Sequence, residues 1–447
     1  MNSKSRHLVA IIGRPNVGKS TLFNRIIGER KAILSDIPGT TRDVLFGDVT
    51  WDKKTFTLAD TAGLEPDNKS EIAESVFLQT QAAIANADLI LFLVNTQEGI
   101  HPDDQMAADL IRRSGKPVIM LTNKADTKQA ILSAGEFARL GFKNIYQTSG
   151  ITGKGIGDVL DDITKQLSKI KAPRPPKVDE TKHIRVAIVG RPNAGKSTLF
   201  NKLISQNRSV VSDVAGTTRD AINETIQHGD YTIEFIDTAG LRRRGKIEVG
   251  IEKFSSLRVL RSVQNADICL LVMEANEGVM AQDMHVMQII EENYKSPILV
   301  INKWDTIEKT YKITAEYDKY IDQKYRFIKN LPKAYVSALT GQRVEKIKDS
   351  IVQVWEDRNF EFPARELKHI ILQAVTDKPL KGRRTSPQLF DAKQVGTNPP
   401  LIQIRTNKSS ELHPTHFRFL ENVIRKTWPL PGVPINFSVK GISRSKE

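Results

Sequence analysis

The sequence predicts an α/β fold that occurs twice in tandem, each copy with a doubly wound and mostly parallel sheet, followed by a small α+β domain. Residues 13–24 recur as residues 190–201, with eleven of the twelve positions identical at an offset of 177. A short apolar run precedes each copy, residues 8–12 and 184–189, and such runs are typical of buried parallel strands. The later motifs repeat at nearly the same offset, which indicates that a whole domain has been duplicated.

Each repeated segment has the pattern G-x-x-x-x-G-K-S of a phosphate-binding loop. Its glycines let the backbone curl so that N–H groups point at a polyphosphate, and the helix that follows adds its positive end. The lysine can reach the β- and γ-phosphates, and the serine can offer a hydroxyl to Mg²⁺. The loop residues are Gly13, Arg14, Pro15, Asn16, Val17, Gly18, Lys19 and Ser20, and Gly190, Arg191, Pro192, Asn193, Ala194, Gly195, Lys196 and Ser197.

Two further motifs follow each loop in the same order and point to a guanine nucleotide. Asp-Thr-Ala-Gly ends an alternating strand, where the carboxylate can hold a metal-bound water and the glycine N–H can approach a γ-phosphate. Asn-Lys-x-Asp follows a later buried strand, and its carboxylate can accept two hydrogens from guanine that adenine does not present. These residues are Asp60, Thr61, Ala62, Gly63, Leu64, Asn123, Lys124, Ala125 and Asp126, and Asp237, Thr238, Ala239, Gly240, Leu241, Asn302, Lys303, Trp304 and Asp305.

Backbone N–H groups could also meet the base in the second copy, where Ser337 and Ala338 follow the next strand. The corresponding residues of the first copy are Ser149 and Gly150. Because the alanine is absent there, the same contact is less strongly indicated in the first copy.

The chain of 447 residues is too long to form one compact core. Changes in composition along the chain indicate where its domains begin and end. We expect a first domain over 1–167, a proline-rich linker over 168–183, a second domain over 184–357 and a third over 358–447. In the third domain, the sequence predicts strands at residues 369–375, 401–405 and 435–439 and a helix at 414–427. A further helix could form at 388–394. This order suggests a small α+β domain.

The net charge of +14 is concentrated at one end of the chain. Residues 1–167 are neutral overall, whereas residues 358–447 carry 16 basic and 7 acidic side chains. Such a basic region is typical of a domain that binds a polyanion, although a merely solvated surface is the alternative. Its basic residues include Lys378, Lys381, Arg383, Arg384, Arg405, Lys408, Arg418, Arg425 and Lys426.

Cysteine usage and hydropathy favour the reducing cytoplasm. The single Cys269 lies in an apolar run, which predicts a buried packing thiol rather than a catalytic one. No apolar stretch approaches the ~18 residues of a membrane-spanning helix, and no secretory signal precedes the first loop. We therefore expect no membrane partner.

The doubled motif set and the basic tail resemble the Der (EngA) family of tandem-G-domain GTPases of ribosome biogenesis. The resemblance covers nearly the whole chain and implies two P-loop GTPase domains that hydrolyse GTP to GDP and phosphate. It also implies a KH-like C-terminal domain, association of a monomer with the large ribosomal subunit and its rRNA, and a role as a switch in maturation of that subunit. The tail has glycines only at 382, 396, 432 and 441, so it lacks the G-x-x-G loop with which KH domains clamp nucleic acid.

The same resemblance assigns further roles. Asn16 and Asn193 match a loop asparagine that ligates K⁺, and Thr41 and Thr218 match the switch threonine that completes Mg²⁺ coordination. With Ser20, Asp60, Ser197 and Asp237 these form the implied metal sites. The implied catalytic residues are Lys19, Thr41, Gly63, Lys196, Thr218 and Gly240.

The residues after Asp-x-x-Gly leave the mode of hydrolysis open. Many GTPases have a glutamine there to orient the attacking water, but this chain has Leu64 and Leu241. A monovalent cation at the β–γ bridge could supply the missing charge. Two alternatives remain at this point: a scaffold that binds GTP with little hydrolysis, and a G protein of tRNA modification.

Overall fold

The computed structural model describes residues 7–28, 45–52, 54–61, 80–81, 83–126, 134–170, 182–205, 224–238, 255–308, 312–326, 328, 330–381, 386–408 and 411–441. The chain divides into two compact units, residues 1–176 with 245–261 and residues 177–244 with 262–447. Several residues singled out in the sequence lie outside the described ranges, namely Thr41, Thr218, Arg383, Arg384 and the segments 62–64 and 239–241.

The first unit contains a six-stranded sheet in the order β2-β3-β1-β4-β5-β6. Within the described part of this sheet, β2 and β3 are antiparallel and the other neighbouring strands are parallel. Strands β1 and β4 are buried at every residue, as expected for central strands covered on both faces. The strands are β1 Leu8–Ile12, β2 Leu45–Trp51, β3 Lys54–Asp60, β4 Leu89–Asn95, β5 Val118–Asn123 and β6 Ile145–Gln147, and the helices are α1 Lys19–Ile27, α2 Pro102–Ser114 and α3 Ile156–Lys169, with a 3-10 helix at Ala134–Leu140.

The second module repeats this topology, with the strand order β8-β9-β7-β10-β11-β12. Of the strand pairs described in this sheet, β8 with β9 is antiparallel and the others are parallel. The predicted doubly wound fold is therefore confirmed for both copies. The strands are β7 His183–Val189, β8 Glu224–His228, β9 Tyr231–Phe235, β10 Ile268–Glu274, β11 Ser296–Asn302 and β12 Lys333–Tyr335, and the helices are α4 Lys196–Ser205, α5 Ser255–Asn265, α6 Ala281–Glu292, α7 Ile313–Lys324 and α8 Glu345–Arg358, with a 3-10 turn at Trp304–Thr306.

The third domain has the order helix, strand, strand, helix, strand. Its elements are α9 Ala364–Asp377, β13 Leu389–Gly396, β14 Leu401–Thr406, α10 Pro414–Thr427 and β15 Asn436–Gly441. Strand β14 lies in the middle, antiparallel to β13 and parallel to β15. The predicted helix over 414–427 and the strands near 401–405 and 435–439 are confirmed.

Two predictions for this domain were wrong. Residues 369–375 belong to helix α9 rather than to a strand, because Leu367 and Ile371, four residues apart, form one fully buried face. Residues 388–394 fall mostly in strand β13 rather than in a helix. That strand buries Ala392 opposite Ile404 on β14, so pairing with a neighbour, not a local pattern, determines its structure.

The third domain and the second module share one apolar core. Trp355 of α8, Phe362 and Leu420 of α10 belong to a single cluster of buried side chains. Arg358, at the end of α8, is 1% exposed and donates to Asn398 Oδ1 at 2.7 Å and to Ser296 Oγ at 2.9 Å. This guanidinium therefore ties the β13–β14 connection to the start of β11.

Cys269 is fully buried in β10, as predicted, and burial raises the pKa of its thiol to about 12. A thiol in this environment stays protonated at physiological pH and acts as a small apolar side chain. In the part of the chain that the structure describes, no helix combines the length and the apolar character needed to cross a membrane.

Candidate functional site

The phosphate-binding loops lie at the carboxyl ends of β1 and β7, where each strand turns into a helix. A Cβ at Gly13 would come within 2.4 Å of the Leu93 carbonyl oxygen, and one at Gly190 within 2.2 Å of that of Val272. Neither distance is possible for a real side chain. The first glycine of the motif is therefore required by the close approach of the neighbouring strand, β4 or β10.

The curl of each loop comes from left-handed residues. Asn16 and Gly18 have φ of 65° and 97°, and Asn193 and Gly195 have 60° and 90°. Asparagine and glycine are the residues that tolerate this conformation best. Alternating left-handed and right-handed residues turn successive N–H groups toward one side, which forms an anion cradle.

The lysine of each motif lies over its own loop. Lys19 Nζ donates to the carbonyl oxygens of Gly13 and Arg14, both at 2.9 Å, and Lys196 Nζ donates to the carbonyl oxygen of Arg191. Helix α1 begins at Lys19 after Gly18, and no side chain caps its first N–H groups. The cation and the helix N-terminus therefore converge on the same place.

The asparagine of Asn-Lys-x-Asp joins the base motif to the phosphate loop. Asn123 Nδ2 donates to the Val17 carbonyl oxygen at 2.8 Å, and Asn302 Nδ2 donates to that of Ala194 at 2.9 Å. The same amide nitrogens would lie 2.5 Å and 2.1 Å from a Cβ at Gly18 and at the corresponding glycine of the second loop. The second glycine of each loop thus makes room for this asparagine.

The other end of each asparagine accepts a backbone N–H. Ala338 N–H donates to Asn302 Oδ1 at 2.9 Å, and Gly150 N–H donates to Asn123 Oδ1 at 3.0 Å. The two modules are equivalent at this point, because the contact uses the backbone and needs no alanine side chain. Ser149 and Ser337 are fully buried beside these residues.

The carboxylates predicted to read the base are accessible. Asp126 and Asp305 are exposed, whereas Ala125 and Trp304 beside them are buried. Lys124 and Lys303 have φ of 61° and 59°, so the chain reverses sharply between the asparagine and the aspartate. We call residues 123–126 and 302–305 the guanine loops.

The aspartates of Asp-Thr-Ala-Gly lie at the carboxyl ends of β3 and just after β9. Asp60 is 1% exposed, and Thr61 Oγ1 beside it donates to the Ile11 carbonyl oxygen at 2.7 Å. In the second module Asp237 has φ of 56° and accepts a hydrogen bond from Ser262 Oγ at 2.6 Å, and Thr238 is buried. Both carboxylates lie on the strand edge that carries the phosphate loop.

The arginine of each phosphate-binding loop contacts two carboxylates that the sequence motifs do not predict. Arg14 contacts Glu98 at 2.5 Å and the fully buried Asp104 at 3.4 Å. Asp104 also accepts the His101 N–H in the capping box of α2, and burial raises the pKa of its carboxyl. The arginine of the loop is therefore attached to the N-terminus of a neighbouring helix.

The second module repeats this arrangement. Arg191 contacts Glu277 at 2.6 Å and the buried Asp283 at 2.9 Å, and Asp283 accepts the Met280 N–H at 3.0 Å. The acids recur at an offset of 179, the same as that of the base motifs. This repetition outside the known motifs is the signal that would have found them.

The described residues fit a guanine nucleotide and Mg²⁺. The cradle that a Cβ would fill, the lysine above it and the uncapped helix start all suit a polyphosphate. Ser20 and Ser197 lie in the first turn of α1 and α4, on the same edge as Asp60 and Asp237. Oxygen ligands of this kind suit Mg²⁺, which is held by few protein groups together with substrate phosphates.

Comparison with known proteins gives matches along the whole chain. A family described as "50S ribosome-binding GTPase" matches residues 8–124 and 185–303, and one described as "KH-domain-like of EngA bacterial GTPase enzymes, C-terminal" matches residues 362–440. GTPase Der of Chloroflexus aggregans is 42% identical over 451 residues, which is 98% of this chain and 99% of the relative. GTPase Der of Caldanaerobacter subterraneus subsp. tengcongensis is 42% identical over 438 residues, again 98% and 99%. Among solved structures, Era in complex with MgGDPNP and nucleotides 1506–1542 of 16S ribosomal RNA is 24% identical and covers 59% of this chain and 94% of that chain, with a TM-score of 0.31.

Proposed function

Because the chain belongs to the Der (EngA) family of GTPases, we propose that it is a nucleotide-controlled switch in maturation of the large ribosomal subunit. GTP hydrolysis, with GTP, GDP and Mg²⁺ as ligands, follows from that membership. We propose in addition that the large ribosomal subunit is the partner, that K⁺ is used in hydrolysis, and that single residues have the roles given for them. The observation that carries it is the duplicated site, in which both modules keep the same loop, lysine and asparagine geometry beside a strongly basic third domain.

We propose the following roles for the site residues. The inward N–H groups of residues 13–18 and 190–195 bind the phosphates, with Lys19 and Lys196 beside them. Ser20, Asp60, Ser197 and Asp237 would hold Mg²⁺ directly or through water, together with Thr41 and Thr218. When bound, Mg²⁺ offsets the negative charge that develops on the phosphate oxygens.

Base selection rests on the guanine loops. Asn123 and Asn302 fix each loop to its phosphate loop, so that Asp126 and Asp305 can accept both hydrogens from the guanine edge. Adenine would leave the carboxylate unpaired, and a site built on hydrogen bonds rejects such an analogue strongly. The Ala338 and Gly150 N–H groups support the asparagines in this state, and we propose that they also approach the base when nucleotide is bound.

Hydrolysis proceeds without a glutamine after Asp-x-x-Gly. We propose that Asn16 and Asn193, whose side chains are exposed on left-handed backbone, would help to hold K⁺, which would supply positive charge to the phosphates. A single positioned charge commonly contributes about 10²–10³-fold to such a step. Gly63 and Gly240 would supply the N–H that meets the γ-phosphate.

The scaffold alternative is tested by multiple-turnover phosphate release in potassium and in sodium buffers. Turnover in potassium supports an active switch, whereas binding without turnover in either salt would favour a scaffold. The alternative of a tRNA-modifying G protein is disfavoured, because the family match extends through the C-terminal domain to residue 440.

We propose that the protein acts in the cytoplasm as a monomer.

The third domain provides the basic surface for docking. Residues 358–447 carry a net charge of +9. Arg425 is not available for docking, because its guanidinium pairs with Glu421 and donates to the carbonyl oxygens of Pro429, Leu430 and Val433. Among the residues that the structure describes in this domain, the exposed basic ones are Arg365, Lys368, Lys378, Lys381, Lys393, Arg405, Arg418, Lys426 and Lys440.

Docking through these side chains should depend on charge rather than on base identity, since the tail lacks a G-x-x-G loop. The test is co-sedimentation with separated large and small ribosomal subunits across a salt series, with Lys381, Arg383 and Arg384 changed to Glu in parallel. We expect binding to large subunits that weakens steeply with salt and on charge reversal. If binding changes neither with salt concentration nor on charge reversal, this domain has a structural role and the ribosome-binding surface lies elsewhere on the chain.

A further inference from the structure

The two guanine loops differ in how firmly they are held. In the second module Lys303 Nζ pairs with Glu274 Oε2 at 2.5 Å, and the carboxylate is mostly buried, with 17% of the side chain exposed. Glu274 is the last residue of β10, next to β11, which leads into the loop. The pair therefore holds the residue at which the chain reverses between Asn302 and Asp305.

Other contacts of the second module act on the same loop. Asn276 Nδ2 donates to Thr306 Oγ1 at 2.7 Å, and that hydroxyl donates to the Lys303 carbonyl oxygen at 2.7 Å. Trp304 is 3% exposed and packs edge-on against Tyr317 of α7, with ring centroids 5.3 Å apart. The turn is thus fixed by an ion pair, a hydroxyl bridge and a buried aromatic ring.

The first module has Asn95 at the position of Glu274. Asn95 is fully buried and is used within its own turn, donating to Glu98 Oε1 at 2.7 Å and accepting the Gln97 N–H at 3.0 Å. Lys124 lies near enough to Glu98 to attract its carboxylate, but among the described residues no carboxylate forms an ion pair with it. The buried residue beside it is Ala125, which cannot replace the packing of a tryptophan.

We propose that Glu274 is a positioning residue that orders the second guanine loop before nucleotide arrives, so that the second module releases GDP more slowly than the first. A loop that is already ordered loses less conformational freedom on binding. It also opens less often, and among related sites affinity differences appear mostly in the dissociation rate. The inference rests on the proposed role of Asp126 and Asp305 in reading the base.

The test is the dissociation of fluorescent mant-GDP from the full-length chain, one module at a time. In an Asp126→Asn background, mant-GDP reports on the second module, and in an Asp305→Asn background on the first. We expect the second module to release mant-GDP more slowly. Glu274→Gln, which keeps the side-chain volume and removes the charge, should speed release from the second module about 3- to 10-fold. It should leave release from the first module unchanged.

Two further variants separate positioning from general destabilisation. Glu274→Asp keeps the charge and should restore part of the slow release, and the difference between wild type and Glu274→Gln should shrink as salt screens the pair. Asp230→Asn removes a more exposed ion pair, with Lys182 at 3.0 Å, in the β8–β9 turn, and should change neither rate. Urea unfolding of each variant checks that it is folded.

The result that would overturn the proposal is a release rate unchanged within twofold by Glu274→Gln, equal acceleration in both modules, or slower release from the first module than from the second. If either background still binds two mant-GDP per chain, base reading by the aspartates has failed instead. The two dissociation phases of the native chain are then followed directly, and Glu274→Gln must accelerate the slower phase alone.

Discussion

Replacement of Asn302 by alanine should remove one of two tight GDP sites. Asn302 is 2% exposed, and its side-chain amide makes two hydrogen bonds, to the Ala194 carbonyl oxygen and from the Ala338 N–H, both at 2.9 Å. The change leaves a buried acceptor and a buried donor unpaired. It also detaches the guanine loop from the phosphate loop, so that the base and phosphate contacts no longer share one rigid frame.

The magnitude follows from the two lost hydrogen bonds. A buried polar group left without a partner costs about 1–3 kcal/mol, so two cost about 2–6 kcal/mol. Water that enters the space left by the side chain keeps the total in the lower half of that range. Since a factor of ten in binding is about 1.4 kcal/mol, a cost of about 2–4 kcal/mol should lower the GDP affinity of the second module about 30- to 700-fold.

The assay is the number of mant-GDP molecules bound tightly per chain. Wild type should bind two, Asn302→Ala one, the matched change Asn123→Ala one, and the double variant none. Gln227→Ala removes an amide hydrogen bond at an exposed position, to Thr232 at 2.8 Å, and should still bind two. Two tight sites in Asn302→Ala would refute the view that this asparagine couples base and phosphate recognition.

Three further outcomes are expected. Asp305→Asn should shift the second module from guanine toward xanthine nucleotides, because the amide offers one acceptor and one donor where the carboxylate offered two acceptors; an unchanged preference for GTP in a competition titration would contradict this. Steady-state phosphate release should fall at least about tenfold when sodium replaces potassium, and Asn→Ala at positions 16 and 193 should abolish the difference; equal rates in both salts would exclude a potassium site. Burial lowers the pKa of Lys295 to about 8, against about 10.4 for an exposed lysine, so the folded state gives up this proton first and the free energy of unfolding should rise by about 2 kcal/mol between about pH 7.5 and 9.5; a urea series in which Lys295→Met has the same slope as wild type would show that another group is responsible.

The elements predictable from the sequence were those with a local cause. Strands β1 and β4 are continuous apolar runs because both faces of a central parallel strand are covered. Helix α10 has Pro414 in its first turn and Pro429 just beyond its end, and its predicted bounds were correct. Each loop motif carries its own geometry in its glycines, so the position of the phosphate site could be predicted before any contact was known.

The parts that the sequence did not reveal depend on contacts between distant segments. Asp104 and Asp283 are ordinary N-terminal helix residues until the fold places Arg14 and Arg191 against them. Strand β13 has one buried side chain and is a strand only because β14 pairs with it. The hydrogen bonds from the Gly150 and Ala338 N–H groups to Asn123 and Asn302 were not predicted, because a residue's type does not report which side chain its backbone binds.

Nucleotide control of ribosome binding can be measured by co-sedimentation of the wild-type chain with purified large ribosomal subunits in GDP, in GTP and in a non-hydrolysable GTP analogue, at one salt concentration. We expect the bound fraction to change with nucleotide, because in the proposed mechanism the γ-phosphate and Mg²⁺ act on the segments that contain Thr41 and Thr218 and bias the chain between two states. We also expect chains with both Asn302→Ala and Asn123→Ala to lose that dependence. An equal bound fraction in all three nucleotides for the wild-type chain would contradict the proposal that this GTPase is a nucleotide-controlled switch on the ribosome.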